Sequence, residues 1–456
     1  MMRLSDIARW TGGRLHGADA TVASVSIDTR TLERGALFVA LRGERHDGHA
    51  FADAARTKGA AALLVEHELA LPLPQVVVAD TQLALGEIAR ARRAASRARV
   101  VGITGSNGKT TVKTLLGSIL ARHGRTHVNP GNLNNEIGLP LTLCAMPLDT
   151  EYAVLEMGAG KPGDIAYLAR IAQPDVALVN NVAAAHLERM GSLQGVAETK
   201  GAIHAALPAD GVAVINADDA FAGYFAVRAA PRRILRYGML RQADVTASVD
   251  APGIPPGAFR LLCAAGGVDV TLPLPGRHNV MNALAAATAA IALGVPLATI
   301  RAGLESASPV AGRLARIVHE SGAVLIDDSY NANPGSFAAA IATLAAESGE
   351  RVLVMGDMAE LGSDARRLHA DVGALARRSG IARLYAVGAN AKAAVDEFGR
   401  GARHFPDQSA LVDAARKELR AGVTMLVKGS RSSAMDRVVT ALRGDAGGNG
   451  GKRDAA

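Results

Sequence analysis

The 456-residue chain has room for about three domains of roughly 150 residues each. It is 49% hydrophobic and 20% charged, which excludes a disordered tail-like protein, and its apolar runs break well short of the ~20 residues of a membrane helix. The net charge of +7 fits an anionic small-molecule substrate or mere compositional drift, since 41 of the 50 basic residues are Arg; with 3% aromatic residues and no basic stretch carrying stacking rings, nucleic acid is not expected. Two distant cysteines, Cys144 and Cys263, argue against a disulfide framework or a cysteine-held zinc. The opening segment lacks an apolar h-region, so no signal peptide, no membrane insertion and a cytoplasmic location are expected.

Along the chain, a first block at 1–98 mixes short strand patterns with turns. Residues 24–28 alternate polar and apolar, 36–40 and 62–65 read as buried strands, and helices are expected at 49–58 and 81–98. A second block, 99–311, opens with a buried strand at 100–104. Further strands are expected at 152–156, 176–180 and 212–216, with a helix after 111 whose apolar face is 112, 115, 116, 119 and 120. This alternation implies a mostly parallel sheet covered on both faces. An antiparallel insertion is expected at about 233–274, with a Pro/Gly turn at 252–257, followed by an Ala-rich helix at 280–293. The third block, 312–443, has strand patterns at 323–327, 352–355, 384–387 and 424–427, as a Rossmann-like domain would. A flexible tail, 444–456, closes the chain. The expected class is therefore α/β: three domains, with a small α/β N-terminal domain, a central parallel-sheet domain and a Rossmann-like C-terminal domain.

The sharpest motif is Gly105-Ser106-Asn107-Gly108-Lys109-Thr110-Thr111, between a strand and a helix. Glycines let backbone N–H groups approach phosphate, and the helix N-terminus adds partial positive charge. Lys109 would reach the β- and γ-phosphates and the Thr110 hydroxyl would ligate Mg2+. The spacing departs from the strict phosphate-loop pattern by one residue, because position 103 is Ile and the upstream glycine is Gly102. Glu156 ends a buried strand on the ligand side of such a sheet, where a carboxylate suits Mg2+. His186 follows another strand; taken alone it reads as a structural histidine, and Lys200 alone reads as a solvated helix residue.

Taken together, the phosphate loop, Glu156, His186 and Lys200 resemble the Mur ligase family, ATP-dependent amide-bond ligases of peptidoglycan precursor synthesis. The resemblance spans the chain and rests on six further segments: 132–140 (NLNNEIGLP), 180–188 (NNVAAAHLE), 274–282 (LPGRHNVMN), 327–334 (DDSYNANP), 355–362 (MGDMAELG) and 427–431 (VKGSR). It implies ATP with Mg2+, two ions in all, and a monomer whose small-molecule substrates are UDP-N-acetylmuramoyl-tripeptide and D-alanyl-D-alanine. It implies catalytic roles for Lys109, His186 and Lys200. Thr110, Glu156, His186 and Lys200 would be metal ligands, with Lys200 carried as a carbamate, because a bare ammonium beside Mg2+ is repelled whereas a carbamate offers oxygens. It places Asn279, Asn282, Arg313 and Asp328 at the nucleotide, although a structural cap or turn explains each of these four equally well.

The resemblance also implies that the first domain holds the uridine nucleotide through Thr29, Arg30, Arg42, Gly43 and His46, arginine suiting a diphosphate through its planar fork. Asn134 and Asn135 are expected at substrate. The dipeptide is placed near Ser329, Asn331, Asn333 and Asp357. Within the family, the ligase adding diaminopimelate or lysine should carry Asp-Asn-Pro-Arg, which Asn333-Pro334-Gly335 is not. Folylpolyglutamate synthase should lack the first domain. A phosphate-loop switch or motor would leave the other segments unexplained.

Overall fold

Alternate residues of the buried strands sort into two cores. Along Arg99–Thr104, Tyr152–Glu156, Val176–Val179 and Val212–Asn216, side chains such as Val101, Ile103, Val154 and Leu178 join one cluster, while Val100, Leu155, Val179 and Ile215 join the other. A strand with both faces apolar needs a helix layer on each side. Helices Lys109–Leu120, Arg277–Ala292 and Leu297–Glu305 cover the first face; Thr81–Ala94, Asp164–Ala172, Leu193–Ala205 and Ala222–Ala229 cover the second.

The computed structural model describes residues 1–43, 46–249 and 258–444. Its central sheet has nine strands, in the order Gly266–Thr271, Ala258–Cys263, Val245–Ser248, Arg233–Tyr237, Val212–Asn216, Val176–Val179, Arg99–Thr104, Tyr152–Glu156, Thr126–Val128. Neighbours are parallel from Thr126–Val128 through Val245–Ser248 and antiparallel beyond.

The 233–274 insertion is thus not antiparallel throughout. Helix Ala222–Ala229 makes a crossover, so Arg233–Tyr237 enters parallel to Val212–Asn216, and only the last two strand pairings are antiparallel. The 252–257 turn and the tail from 445 onward lie outside the described residues.

A five-stranded sheet, Arg14–His16, Gln75–Val77, Ala62–Val65, Leu37–Val39, Val25–Ser26, occupies the N-terminal part. Its residues Leu37, Val39, Leu64 and Val76 share one core with the central sheet through helix Thr81–Ala94. That helix stops four residues short of the expected 98: Ala95 caps it, and the Ser96 hydroxyl accepts from the Ala98 amide to start the exit turn. The alternation at 24–28 contracts to the two-residue strand Val25–Ser26. The C-terminal sheet runs Ala315–Val318, Val324–Asp328, Val423–Lys428, Glu350–Met355, Arg383–Val387, Ala402–Phe405, parallel except for the first edge strand.

Candidate active site

The C-terminal ends of the central strands deliver Gly105, Glu156, Asn180 and Asn216 to one edge of the sheet, where ligands of open α/β sheets bind. A cavity of about 680 Å³ opens there. Ser106, Asn107, Gly108, Lys109, Thr110, Thr111, Asn134, Asn135, Glu156, His186, Asn279 and Asn282 line it from the central part; Arg313, Asp328, Asn331 and Asn333 line it from the C-terminal part.

Gly108 is the N-cap of helix Lys109–Leu120 with φ of +78°, and a Cβ there would overlap Asn282 Oδ1 and Asn180 Nδ2. Both the conformation and the space demand glycine. Lys109 Nζ donates to the Gly105 carbonyl at 2.8 Å, so the loop holds its own lysine. Burial lowers the Lys109 pKa, Glu156 opposes that, and Arg313 adds to it.

Glu156 is 2% exposed and densely held. Thr110 Oγ1 donates to its Oε2 at 2.8 Å, Asn134 Nδ2 donates to its Oε1 at 2.7 Å, and Lys113 Nζ stands 3.4 Å from Oε2. Burial alone would raise its pKa, but Lys109, Lys113 and Arg313 outweigh that and hold the carboxyl below its ordinary value. Among the described residues no cluster of three or more His, Cys, Asp and Glu side chains stands ready for a metal. The adjacent Thr110 and Glu156 oxygens nevertheless fit Mg2+, which takes one or two carboxylates and completes its shell with phosphate and water.

His186 caps the short helix Leu187–Met190 at φ +54°, and its Nδ1 is hydrogen-bonded to Glu360 of the C-terminal part. Burial lowers its pKa, with Glu360 opposing. Lys200 is not solvated: it is 1% exposed on helix Leu193–Ala205, behind rather than on the cavity wall. Its amine makes no hydrogen bond or ion pair among the described residues, and burial, with Lys109 adding, pushes its pKa well below the usual lysine value.

Asn279 donates to the Pro275 carbonyl and receives from Asn282, whose Oδ1 takes the Asn180 amide. Asp328 pairs with Lys428 Nζ at 2.6 Å and accepts from the Leu314 amide; burial nonetheless raises its pKa. Arg313 stacks over the Tyr330 ring at 4.4 Å. Asn135 caps the turn into helix Gly138–Ala145, and Asn331 gives its carbonyl to Lys428. Asn333 caps helix Pro334–Ala345.

Ser329 and Asp357, expected beside the dipeptide, do not line the cavity. Ser329 donates to Asp327, and Asp357 accepts from the Ala391 amide. The first-block group is also absent from it. Arg30 forks onto Asp28 at 2.7–3.0 Å, Arg42 lies 3.5 Å from Asp47 and 3.4 Å from Glu66, and Gly43 N–H donates to the His46 carbonyl. Thr29 is half-buried beside Arg30. These guanidiniums already carry carboxylate partners, so a diphosphate would have to displace or share them.

Three family models match the chain in order: the Mur ligase family catalytic domain over 21–99, the Mur ligase middle domain over 103–290, and the Mur ligase glutamate ligase domain over 312–431. The chain belongs to the Mur ligase family. A UDP-N-acetylmuramoyl-tripeptide–D-alanyl-D-alanine ligase of Escherichia coli is 46% identical over 96% of this chain and 98% of its own. One of Bacillus subtilis is 35% identical over 92% and 93%. The crystal structure of MurF from Acinetobacter baumannii superposes with a TM-score of 0.90 at 35% identity over 96% and 98%. A MurF ligase from Thermotoga maritima in complex with ADP gives 0.82 at 28% over 92% and 97%.

Three residues of this Mur ligase site were given no role in the sequence reading, although two of them, Asn181 and Glu360, lie in the segments 180–188 and 355–362. Lys113, 4% exposed, donates to the Asn129 and Gly131 carbonyls at 3.0 and 2.9 Å beside Glu156. Its position four residues after Lys109 put it on the same helix face, which was the available signal. Asn181 accepts the Asn107 N–H through Oδ1 at 2.8 Å. Glu360 reaches the site only through the chain fold.

Proposed function

We propose that this Mur ligase joins D-alanyl-D-alanine to UDP-N-acetylmuramoyl-tripeptide, with ATP split to ADP and phosphate, in peptidoglycan precursor synthesis. Whole-length similarity to ligases of that name carries the choice of substrates. One cavity holding Lys109, Thr110 and an ionised Glu156, walled on its other side by Arg313, Asp328 and Asn333, supports the chemistry. We also read three domains, 1–98, 99–311 and 312–443, each with a main sheet, in an enzyme of the cytoplasm, where its nucleotides are.

The tripeptide's terminal carboxylate attacks the γ-phosphorus of ATP, the bond to the β-phosphate oxygen breaks, and an acyl phosphate forms. Lys109 leaves the Gly105 carbonyl to offset charge on the transferring oxygens. The amine of D-alanyl-D-alanine attacks the acyl carbon, loses a proton, and phosphate departs as the amide forms. Acyl phosphates hydrolyse in water, so walls from two domains serve to exclude it. Mg2+ would be held by Thr110 and Glu156 and would supply charge neutralisation at the phosphates, and a second ion would be held by Glu156 and His186, with Lys200, which stands behind the cavity wall, as a ligand only once carbamylated. Burial lowers the Lys200 pKa and so favours the uncharged amine, the form that adds CO2 with loss of one proton, which fits Lys200 to carbamylation. Asn279 and Asn282 would hold the nucleotide base, and Thr29, Arg30, Arg42, Gly43 and His46 the uridine diphosphate.

Mass spectrometry of the product tests the reading. Tripeptide nucleotide, D-alanyl-D-alanine and MgATP should yield the pentapeptide nucleotide. A product carrying another amino acid would keep the family and change the substrate.

A further inference from the structure

His186 and Glu360 are both non-glycine residues with left-handed backbone, at φ +54° and +60°. Such a conformation is costly for a residue with a Cβ and persists where the surroundings hold it. These two residues are partners in one hydrogen bond, across 174 residues of sequence and between the central and third domains. The helix Leu187–Met190 packs on the turn Gly362–Asp364, and Gly362, itself at φ +63°, lies close to the Glu188 backbone. Two strained residues therefore meet where the domains touch, and one of them lines the cavity.

An ionised carboxylate only accepts, so a neutral His186 ring bonded to Glu360 donates through Nδ1 and carries its lone pair on Nε2. A histidine that binds a metal through one nitrogen commonly gives its other N–H to a carboxylate, which fixes ring and tautomer. We propose that Glu360 is a positioning residue for the cation site: docked from the third domain, it holds the His186 ring with Nε2 as the binding nitrogen. The proposal rests on the reading of His186 as a cation ligand. It makes the site complete only when the third domain is docked, and by linkage the bound cation favours the docked state.

The test uses the full chain with ADP and Mn2+ as the probe, counting free Mn2+ by electron paramagnetic resonance. Parent, His186→Ala, Glu360→Ala and Glu360→Gln are compared, with thermal melts as the fold control. The expected result is weaker Mn2+ binding, about tenfold, in both alanine variants. Glu360→Gln, which keeps an acceptor oxygen, should retain most of the affinity. A loss in His186→Ala with parental binding in Glu360→Ala overturns the proposal and leaves the ligand reading standing. Parental binding in every variant overturns both. Glu360→Gln as weak as Glu360→Ala overturns the orientation argument.

Discussion

Asn333 Nδ2 donates to Asn107 Oδ1 at 2.7 Å, joining the first helix of the third domain to the phosphate loop. The same Asn333 uses Oδ1 to accept from Ser336 N–H and closes a capping box with it. One side chain therefore caps a helix with its oxygen and bridges two domains with its amide. Asn107 is in turn held by Asn180 and Asn181, and Asn180 by Asn282 and Tyr237. A chain of amides thus runs from the expected base site to the third domain.

Asn333→Asp separates the two roles. Aspartate caps as well as asparagine, so the helix start should hold. It presents an acceptor to Asn107 Oδ1 in place of a donor, and the lost bond costs about 1 kcal/mol or more. The expected outcome is a several-fold rise in the KM for ATP with a fall in stability no larger than that one lost bond, read by steady-state kinetics and calorimetry.

Lys109→Ala removes the cation proposed to meet the transferring phosphate. Turnover should fall about 10²–10³-fold or more, the scale for losing one preorganised charge partner. The lysine side chain's one hydrogen bond among the described residues is to a loop carbonyl, so the fold should survive. A folded variant with the parent's single-turnover rate would remove Lys109 from the site.

Gly108→Ala tests the loop itself. The left-handed conformation costs alanine about 1–2 kcal/mol, and the new Cβ meets Asn282 and Asn180 as well. ADP with Mg2+ should raise the parent's melting temperature and leave the variant's nearly unchanged.

Lys200 predicts a pH dependence. Its folded pKa lies well below the unfolded value, mainly through burial, so the unfolded chain binds the extra proton. Stability from this group therefore rises with pH, from the lowered folded value up to about 10.4, the unfolded lysine value. In CO2-depleted buffer, Lys200→Met should melt higher than the parent at neutral pH, and the gap should close toward pH 10. A gap that widens with pH would show that the amine is stabilised by its surroundings.

Much of this architecture is legible in the chain, and the exceptions share a physical cause. The strand 99–104, the glycine loop and the helix after it stand out because a Val/Ile run gives way to a 3.6-residue apolar period. Lys113 and Lys200 are invisible to that period, since patterning counts a lysine as solvent-facing whatever it packs against. The Asn134, Glu156 and Thr110 cluster could be read as types but not as a hydrogen-bonded unit. Glu360 meets His186 only through domain docking, which local pattern does not encode. Strands of three residues, such as Thr126–Val128, are too short to separate from loops.

The most direct measurement is phosphate release from MgATP with UDP-N-acetylmuramoyl-tripeptide, with and without D-alanyl-D-alanine. Steady release that requires both substrates is the predicted result. Release that ignores D-alanyl-D-alanine, or none from a folded chain that binds ADP, would contradict the assignment.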